Sequence, residues 1–292
     1  VQGLRLRYSR YIRLKMEEND GGLAEELTGY PAEKDEVLAE SLEQQKKEWF
    51  QDAPADELAK VLHHVSELAL ELDHPELYHA YLKEDISIFM KNYWMQNGFS
   101  QAVPDITPDR VYIGNQFCHL LFPEEQCLFE LMEKAHQEKR SITLVYTYIR
   151  EDMLKTTDEL LAKVDNWCKE KQIPVEIVVN DWALVEMLKK YPERLTPVLG
   201  TLLNKRKKDP RMNYKKGNKT LYEQNSLNAE FYRKFLGEEC NIWRYEWESC
   251  GYTQNFPGIL NGKNSLHVPF YQTNTSQYCP LHALCTEGER GK

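Results

Sequence analysis

Apolar residues in the C-terminal two thirds of the chain follow two alternating patterns. Short runs rich in Val, Ile and Leu predict buried strands, and longer stretches with apolar residues three or four positions apart predict helices. The predicted strands cover residues 110–114, 142–149, 175–179, 195–199, 242–247 and 266–271. The predicted helices cover residues 123–138, 155–171, 182–191 and 226–236. Because two parallel strands need a crossover between them, this alternation predicts parallel β/α units.

These units indicate an α/β fold of the TIM-barrel-like (β/α) type. A closed (β/α) barrel has eight units, whereas six are visible in this sequence. The barrel is therefore incomplete, or it is closed by the N-terminal segment or by a partner.

The first hundred residues have a different pattern. Between about residues 35 and 97 the apolar positions recur at helical spacing, and Leu68 and Leu72 belong to that series. We therefore expect a helical N-terminal segment over residues 1–104 and a barrel-like domain over residues 105–292. The second domain carries most of the polar residues considered below.

Composition and charge limit the function classes. The chain has 292 residues, of which 46 are acidic and 37 basic, which gives a net charge of -9. A surface coated by nucleic acid would need the opposite balance, so we expect no DNA partner. No stretch approaches the ~20 apolar residues of a membrane span, and the first residues lack the apolar core of a signal peptide. The sequence thus predicts a cytoplasmic protein.

Carboxylates near strand ends are candidate catalytic groups. Parallel β/α folds gather functional side chains at the carboxyl ends of their strands. Glu246 and Glu248 lie two residues apart on a predicted strand and so share one face, and Asp181 follows another strand. They could serve as acid and base or hold a metal or a water, or they could pair with a basic residue in a purely structural role.

A basic run follows the fourth predicted strand. It begins at Lys205 and Arg206 and continues through Arg211, in a chain that is otherwise acidic. A phosphate- or carboxylate-bearing ligand or an RNA backbone would suit it, although an exposed lysine-rich loop explains the same pattern. The candidate substrate-binding residues are Asn180, Asn204, Lys205, Arg206 and Arg211.

Seven cysteines in a chain without a secretory signal do not indicate a disulfide framework. Cys118, Cys279 and Cys285 occur where the predicted fold ends its strands, and thiolates suit an iron–sulfur cluster if a fourth ligand joins them. Cys250 is the preferred fourth ligand, with Cys240 and His282 behind it. The alternative is that these cysteines are small buried hydrophobic residues.

The order of several short motifs resembles a known family. Residues 111–118 (VYIGNQFC), 178–182 (VVNDW) and 197–204 (PVLGTLLN), with Glu246 and the late pair Cys279 and Cys285, are similar to motifs of the collagenase-like peptidase family of unassigned catalytic type. The similarity covers roughly residues 110–285. Within that family, the motifs most resemble the iron–sulfur branch, which supports oxygen-independent ubiquinone hydroxylation.

That resemblance implies a barrel-like fold and a [4Fe–4S] cluster held by cysteines. Proteins of this branch support hydroxylation of a quinone precursor or of RNA bases without oxygen, often as pairs of related subunits. The first hypothesis is therefore an iron–sulfur-dependent hydroxylase-type enzyme or subunit that modifies a small molecule, a peptide or RNA. The second is a metal- or water-dependent peptidase. The third is a non-catalytic partner of a related barrel subunit, in a homo- or hetero-oligomer.

Overall fold

The structure, a computed structural model, describes residues 66–96, 107–205, 223–248 and 263–267. Within these ranges seven strands form one sheet in which every neighbouring pair is parallel and the order follows the chain. The strands are β1 (Ala69–Leu72), β2 (Arg110–Gly114), β3 (Ser141–Val145), β4 (Val175–Val179), β5 (Leu195–Leu199), β6 (Arg244–Glu248) and β7 (Lys263–His267).

Helices connect the strands, as parallel pairing requires. The described helices are α1 (Pro75–Lys83), α2 (Ile86–Gln96), α3 (Glu125–Gln137), α4 (Leu154–Lys171), α5 (Trp182–Leu188) and α6 (Glu230–Cys240). Short 3-10 helices lie at His119–Leu121, Glu151–Met153 and Ser226–Asn228. In the described ranges, no helix combines the length and the apolar character that a membrane crossing needs.

By their contacts, the described residues belong to two compact units. One contains the whole sheet together with α1 and α3–α6. The other contains α2 and its flanking residues, where Asn92 donates a hydrogen bond to Glu84 over 3.1 Å. The candidate site described below lies entirely in the first unit.

The two faces of the sheet differ in character. Outward positions such as Val111, Ile113 and Ile177 are apolar and fully buried, as expected of strands covered by helices. The inward face has an apolar cluster formed by Tyr112, Val145, Val178 and Val198. The same face also carries several charged side chains, so the interior is partly polar.

The sheet curves until its first and last strands approach each other through side chains. His267 on β7 lies 3.2 Å from Glu71 on β1, and Tyr112 on β2 donates a hydrogen bond to Glu246 on β6. These contacts join strands that are not neighbours in the sheet. The described strands thus form part of a barrel in an α/β fold, which agrees with the predicted fold class.

The predicted elements are confirmed in most places and wrong in two. The bounds of β2, β4 and β5 coincide with the prediction, whereas β3 ends at Val145 and not at residue 149. Strand β7 covers Lys263–His267, and the rest of the strand predicted at 266–271 lies outside the described residues. The helical interpretation fails at Ala69–Leu72, which is a seventh strand. Pairing of Leu72 with Ile113 on β2 buries this segment in the sheet, and such tertiary contacts override a local helical pattern.

Candidate functional site

Strand β6 carries three of the charged residues on the sheet's inner face. Its side chains alternate, so Arg244, Glu246 and Glu248 share one face while Tyr245 and Trp247 share the other. Trp247 on the outer face donates to the Asn264 side chain over 2.8 Å. The sequence prediction that the two glutamates point to the same side agrees with this geometry.

Glu246 and Glu71 enclose His267. The Nε2 atom of His267 lies 2.6 Å from Oε2 of Glu246, and its Nδ1 atom lies 3.2 Å from Oε2 of Glu71. Glu246 is fully buried, whereas 13% of the His267 side chain and 23% of the Glu71 side chain are exposed. The imidazole therefore bridges a buried carboxylate and one that solvent reaches.

This environment determines the charge of His267. Burial alone would lower the pKa of the imidazole, but the negative charges of Glu71 and Glu246 and their hydrogen bonds outweigh burial and raise that pKa well above its usual value. A raised pKa favours the imidazolium at neutral pH, in which both ring nitrogens carry protons and can donate them to the two carboxylates. The side-chain amide nitrogen of Gln116 also lies 3.3 Å from Nε2.

Tyr112 contacts the same buried carboxylate from the other side. Its hydroxyl donates to Oε1 of Glu246 over 2.9 Å, so the two oxygens of Glu246 have different partners. The Tyr112 ring also meets the His267 ring edge to face, with centroids 6.0 Å apart. Burial, followed by the charge of Glu246, raises the pKa of Tyr112 well above its usual value, so the phenol stays protonated.

A second charged group lies toward the amino ends of the strands. Arg244 and Arg110 both contact the Glu176 carboxylate, at 3.1 and 2.9 Å. Arg110 also donates to the Thr143 hydroxyl over 2.9 Å. These residues come from β2, β3, β4 and β6, so they connect four strands inside the curved sheet. They lie nearer the amino ends of the strands than His267 does.

Of the three carboxylates predicted to be catalytic, Glu246 is part of the group around His267. Glu248 is 7% exposed and pairs in register with His267, at the carboxyl end of β6. Asp181 instead caps α5: its carboxylate accepts hydrogen bonds from the Leu184 and Ile149 backbone N–H groups. The Asp181 carboxylate thus has a structural use at the helix start.

Two predicted substrate-binding asparagines tie loops to strands. Asn180 is buried; its amide donates to the Tyr146 carbonyl over 2.6 Å, and its side-chain oxygen accepts from Leu202 N–H over 3.1 Å. Asn204 donates to the Glu246 carbonyl over 3.3 Å. Asn204 therefore lies beside the buried glutamate, and both asparagines fix the connections that follow β4 and β5.

The basic run is described only at its first residue. Lys205 is exposed, and its backbone exchanges two hydrogen bonds with Ser226: the carbonyl accepts over 2.7 Å and the N–H donates over 3.0 Å. Arg206 and Arg211 lie outside the described residues. The predicted anion site stays a prediction.

The predicted cluster ligands are mostly outside the described ranges as well. Cys118 follows β2, where it is 7% exposed and its N–H donates to the Asn115 side chain. Cys250, Cys279 and Cys285 lie beyond the described residues. Among the other described cysteines, Cys168 is inert because burial raises the pKa of its thiol to about 12.

No metal site forms among the described residues alone. Within those ranges no group of three or more His, Cys, Asp or Glu side chains has a geometry that could hold a metal ion. Glu71, His267 and Glu246 are arranged for hydrogen bonding to one another instead.

Sequence reasoning did not identify Glu71, Tyr112 and His267. Glu71 was assigned to a helix, and His267 lies 196 residues from it along the chain, so no local pattern links the two. One feature could have indicated them: a polar residue at every second position of an otherwise apolar strand marks an inward polar face. Tyr112 and Glu246 both fit that pattern.

Comparison of the chain with known protein families, with curated proteins and with solved structures finds no match.

Proposed function

We propose that the chain is an enzyme that performs acid–base chemistry at the carboxyl end of its curved sheet, with hydrolysis as the reaction class. The observation that supports it best is the 2.6 Å contact between His267 Nε2 and the buried Glu246 carboxylate. A buried carboxylate that orients a histidine is a recurring arrangement of hydrolytic sites, and here the other nitrogen of the histidine contacts the partly exposed Glu71 carboxylate.

Each group has a distinct role in this proposal. Glu246 touches no solvent, so it holds and orients His267 rather than meeting substrate. The Nδ1 proton of His267 lies on the more exposed side, where it can pass to a leaving group. Glu71 accepts that proton's hydrogen bond in the resting state, and its partly exposed carboxylate can take a proton from an attacking water.

The position of the site agrees with the architecture. In parallel β/α barrels the active site lies at the carboxyl ends of the strands, and His267 and Glu248 are the last residues of β7 and β6. We infer on the same ground that the sheet belongs to the TIM-barrel class. A small molecule, a peptide or RNA is the substrate, and Lys205, Arg206 and Arg211 would attract a negatively charged one.

A second candidate function follows from Cys118. Its thiol is buried after β2, at the same end of the sheet, which is where the resemblance to the iron–sulfur branch puts a cluster ligand. With Cys279, Cys285 and Cys250 it would hold a [4Fe–4S] cluster, and the reaction would be oxygen-independent hydroxylation. A related barrel subunit would then be the expected partner.

Mass spectrometry of the products distinguishes the two candidates. Purified protein is incubated without dioxygen with a peptide mixture and, separately, with RNA, each in the presence of an organic oxygen donor. Hydrolysis adds the elements of water to a cleaved substrate, whereas hydroxylation adds one oxygen atom from that donor, which is reduced by two electrons. For the acid–base site we expect Glu246→Gln to lower hydrolysis by between ~10² and ~10⁴-fold, while the exposed control Glu159→Gln leaves it unchanged.

The cysteine variants provide the other comparison. Oxygen addition that is lost in Cys118→Ser and kept in Cys127→Ser, in a protein that absorbs near ~400 nm, would favour the iron–sulfur enzyme. Hydrolysis that survives intact in Glu246→Gln would contradict the acid–base proposal.

A further inference from the structure

The two carboxylate oxygens of Glu246 have different partners, and the partner on the side away from His267 is Tyr112. Oε2 of Glu246 lies 2.6 Å from His267, and Oε1 accepts from the Tyr112 hydroxyl over 2.9 Å. Glu246 is fully buried and Tyr112 is 3% exposed, so solvent does not replace either contact. The direction of the carboxylate therefore depends on Tyr112 as well as on His267.

Tyr112 can donate only one proton, and the geometry selects its acceptor. Its hydroxyl oxygen lies 2.9 Å from the Glu246 carboxylate and 3.3 Å from the Ser265 hydroxyl. A hydrogen bond to a charged acceptor is the shorter and stronger kind, so the proton is directed to Glu246. The raised pKa of Tyr112 keeps that proton on the phenol throughout the working pH range.

Arg244 fixes the phenol in turn. Its Nη2 donates to the Tyr112 oxygen over 3.1 Å, its Nε donates to Ser265 over 2.9 Å, and its Nη1 lies 3.1 Å from Glu176. All three nitrogens of this guanidinium thus have partners, and its planar group is held in one orientation. The hydrogen bonds run in one direction, from Arg244 to Tyr112 and from Tyr112 to Glu246.

We propose that Tyr112, held by Arg244, is a positioning residue that aims the second oxygen of Glu246 at His267 and so sets the protonation of the histidine. This inference rests on the proposed acid–base function and deepens it. Neither residue needs to touch substrate. Their effect reaches the exposed side of the site only through Glu246 and His267.

The test is the titration of His267 followed by nuclear magnetic resonance in the full chain. The His267 resonance is assigned by its loss in His267→Gln, and its pKa is compared between the unmodified protein and Tyr112→Phe. In the variant, Oε1 of Glu246 loses its donor and the carboxylate can turn away from His267. Burial still disfavours the imidazolium, so the pKa of His267 falls by at least ~1 unit, a tenfold change in proton affinity.

Two further variants make the result specific. Ser265→Ala removes the longer contact of Tyr112 and leaves its bond to Glu246, so the pKa of His267 stays where it was. Arg244→Lys keeps the charge but loses the planar group, and it lowers the pKa of His267 in the same direction as Tyr112→Phe. This second variant also decides the matter if Tyr112→Phe does not fold.

The outcomes separate this inference from the function on which it rests. If His267 titrates near ~6.5 in the unmodified protein, the carboxylate–histidine pair itself is absent and the acid–base proposal fails. If its pKa is raised there and unchanged in both Tyr112→Phe and Arg244→Lys, the acid–base proposal stands. Tyr112 is then a packing residue only, and the positioning role is overturned.

Discussion

At the scale of single residues, the connections around the site are held by close packing of polar side chains. Gly200 directly follows β5, and a Cβ at this position would overlap the Asn180 side chain. Asn180 needs that space because it bonds the Tyr146 carbonyl and the Leu202 N–H from a buried position. Gly200 is thus required by a neighbouring side chain rather than by its own backbone conformation.

This packing gives a direct prediction. Gly200→Ala should lower the free energy of unfolding by about 1–3 kcal/mol, because Asn180 must shift and loses part of its bonding. The measurement is urea denaturation in a double-mutant cycle with Asn180→Ala. In the Asn180→Ala background, Gly200→Ala should lower the free energy of unfolding much less, because the side chain that it would overlap is gone. Equal costs in the two backgrounds would show that the two residues do not interact.

At the scale of elements, the first and last strands are connected by an ion pair. β1 and β7 are the two ends of the described sheet order, and Glu71 on β1 contacts His267 on β7 over 3.2 Å. Strand β7 pairs in register with β6, so His267 also connects to Glu246 within its own side of the sheet. Charge on His267 therefore stabilises the curvature of the sheet.

The stability of the protein should consequently depend on pH in a defined direction. The pKa of His267 is raised on folding, so its stabilising contribution is complete below the unfolded value of ~6.5 and is lost as pH rises through the folded value. Across that interval the free energy of unfolding should fall by up to ~1.4 kcal/mol per pH unit from this group. Urea denaturation at several pH values measures this decrease in the free energy of unfolding, and His267→Gln is the control.

The control removes only this contribution. The difference in unfolding free energy between the protein and His267→Gln should shrink as pH rises above ~6.5. A difference that is constant or grows with pH would contradict the assigned charge on His267.

Sequence patterns predicted elements better than they predicted contacts between elements. β2, β4 and β5 follow from apolar runs alone, because burial on both faces leaves a local trace in composition. Strand β1 could not be predicted in this way, because the apolar spacing of Leu68 and Leu72 fits a helix equally well. Only its pairing with β2 makes this segment a strand. β7 is poor in apolar residues, and Lys263, Asn264 and Leu266 are exposed, so its position could not be read from burial.

In the site as well, local features could be predicted from the sequence and contacts between distant residues could not. Alternation along β6 placed Glu246 and Glu248 on one face, whereas Asp181, predicted among the catalytic carboxylates, caps α5 in the structure. The pairing of Glu246 with His267 and of His267 with Glu71 depends on how far the sheet curves, which no local pattern records. The order of the motifs, through their resemblance to a known family, led to the cysteine hypothesis, and of its four preferred ligands Cys118 alone lies within the described residues.

At the scale of the whole molecule, an acidic protein encloses several pairs of opposite charges. The chain has a net charge of -9, while the described interior pairs Arg110 and Arg244 with Glu176, and His267 with Glu71 and Glu246. Burial of ionic groups carries a large desolvation free energy, which even a partner of opposite charge often fails to offset. If the interior of the sheet contributed to stability alone, apolar residues would be expected at these positions. A charged interior of this kind is what the proposed acid–base chemistry would require.

The same scaffold supports many reactions, so the function has to be argued from the site. The central claim is that His267 is an imidazolium held between Glu71 and Glu246. The most direct measurement is the pKa of His267 by nuclear magnetic resonance in the unmodified protein and in Glu246→Gln. We predict a value well above ~6.5 in the protein and a much lower one in the variant, where one of the two charges that raise it is lost. A value at or below ~6.5 in the unmodified protein would contradict the account.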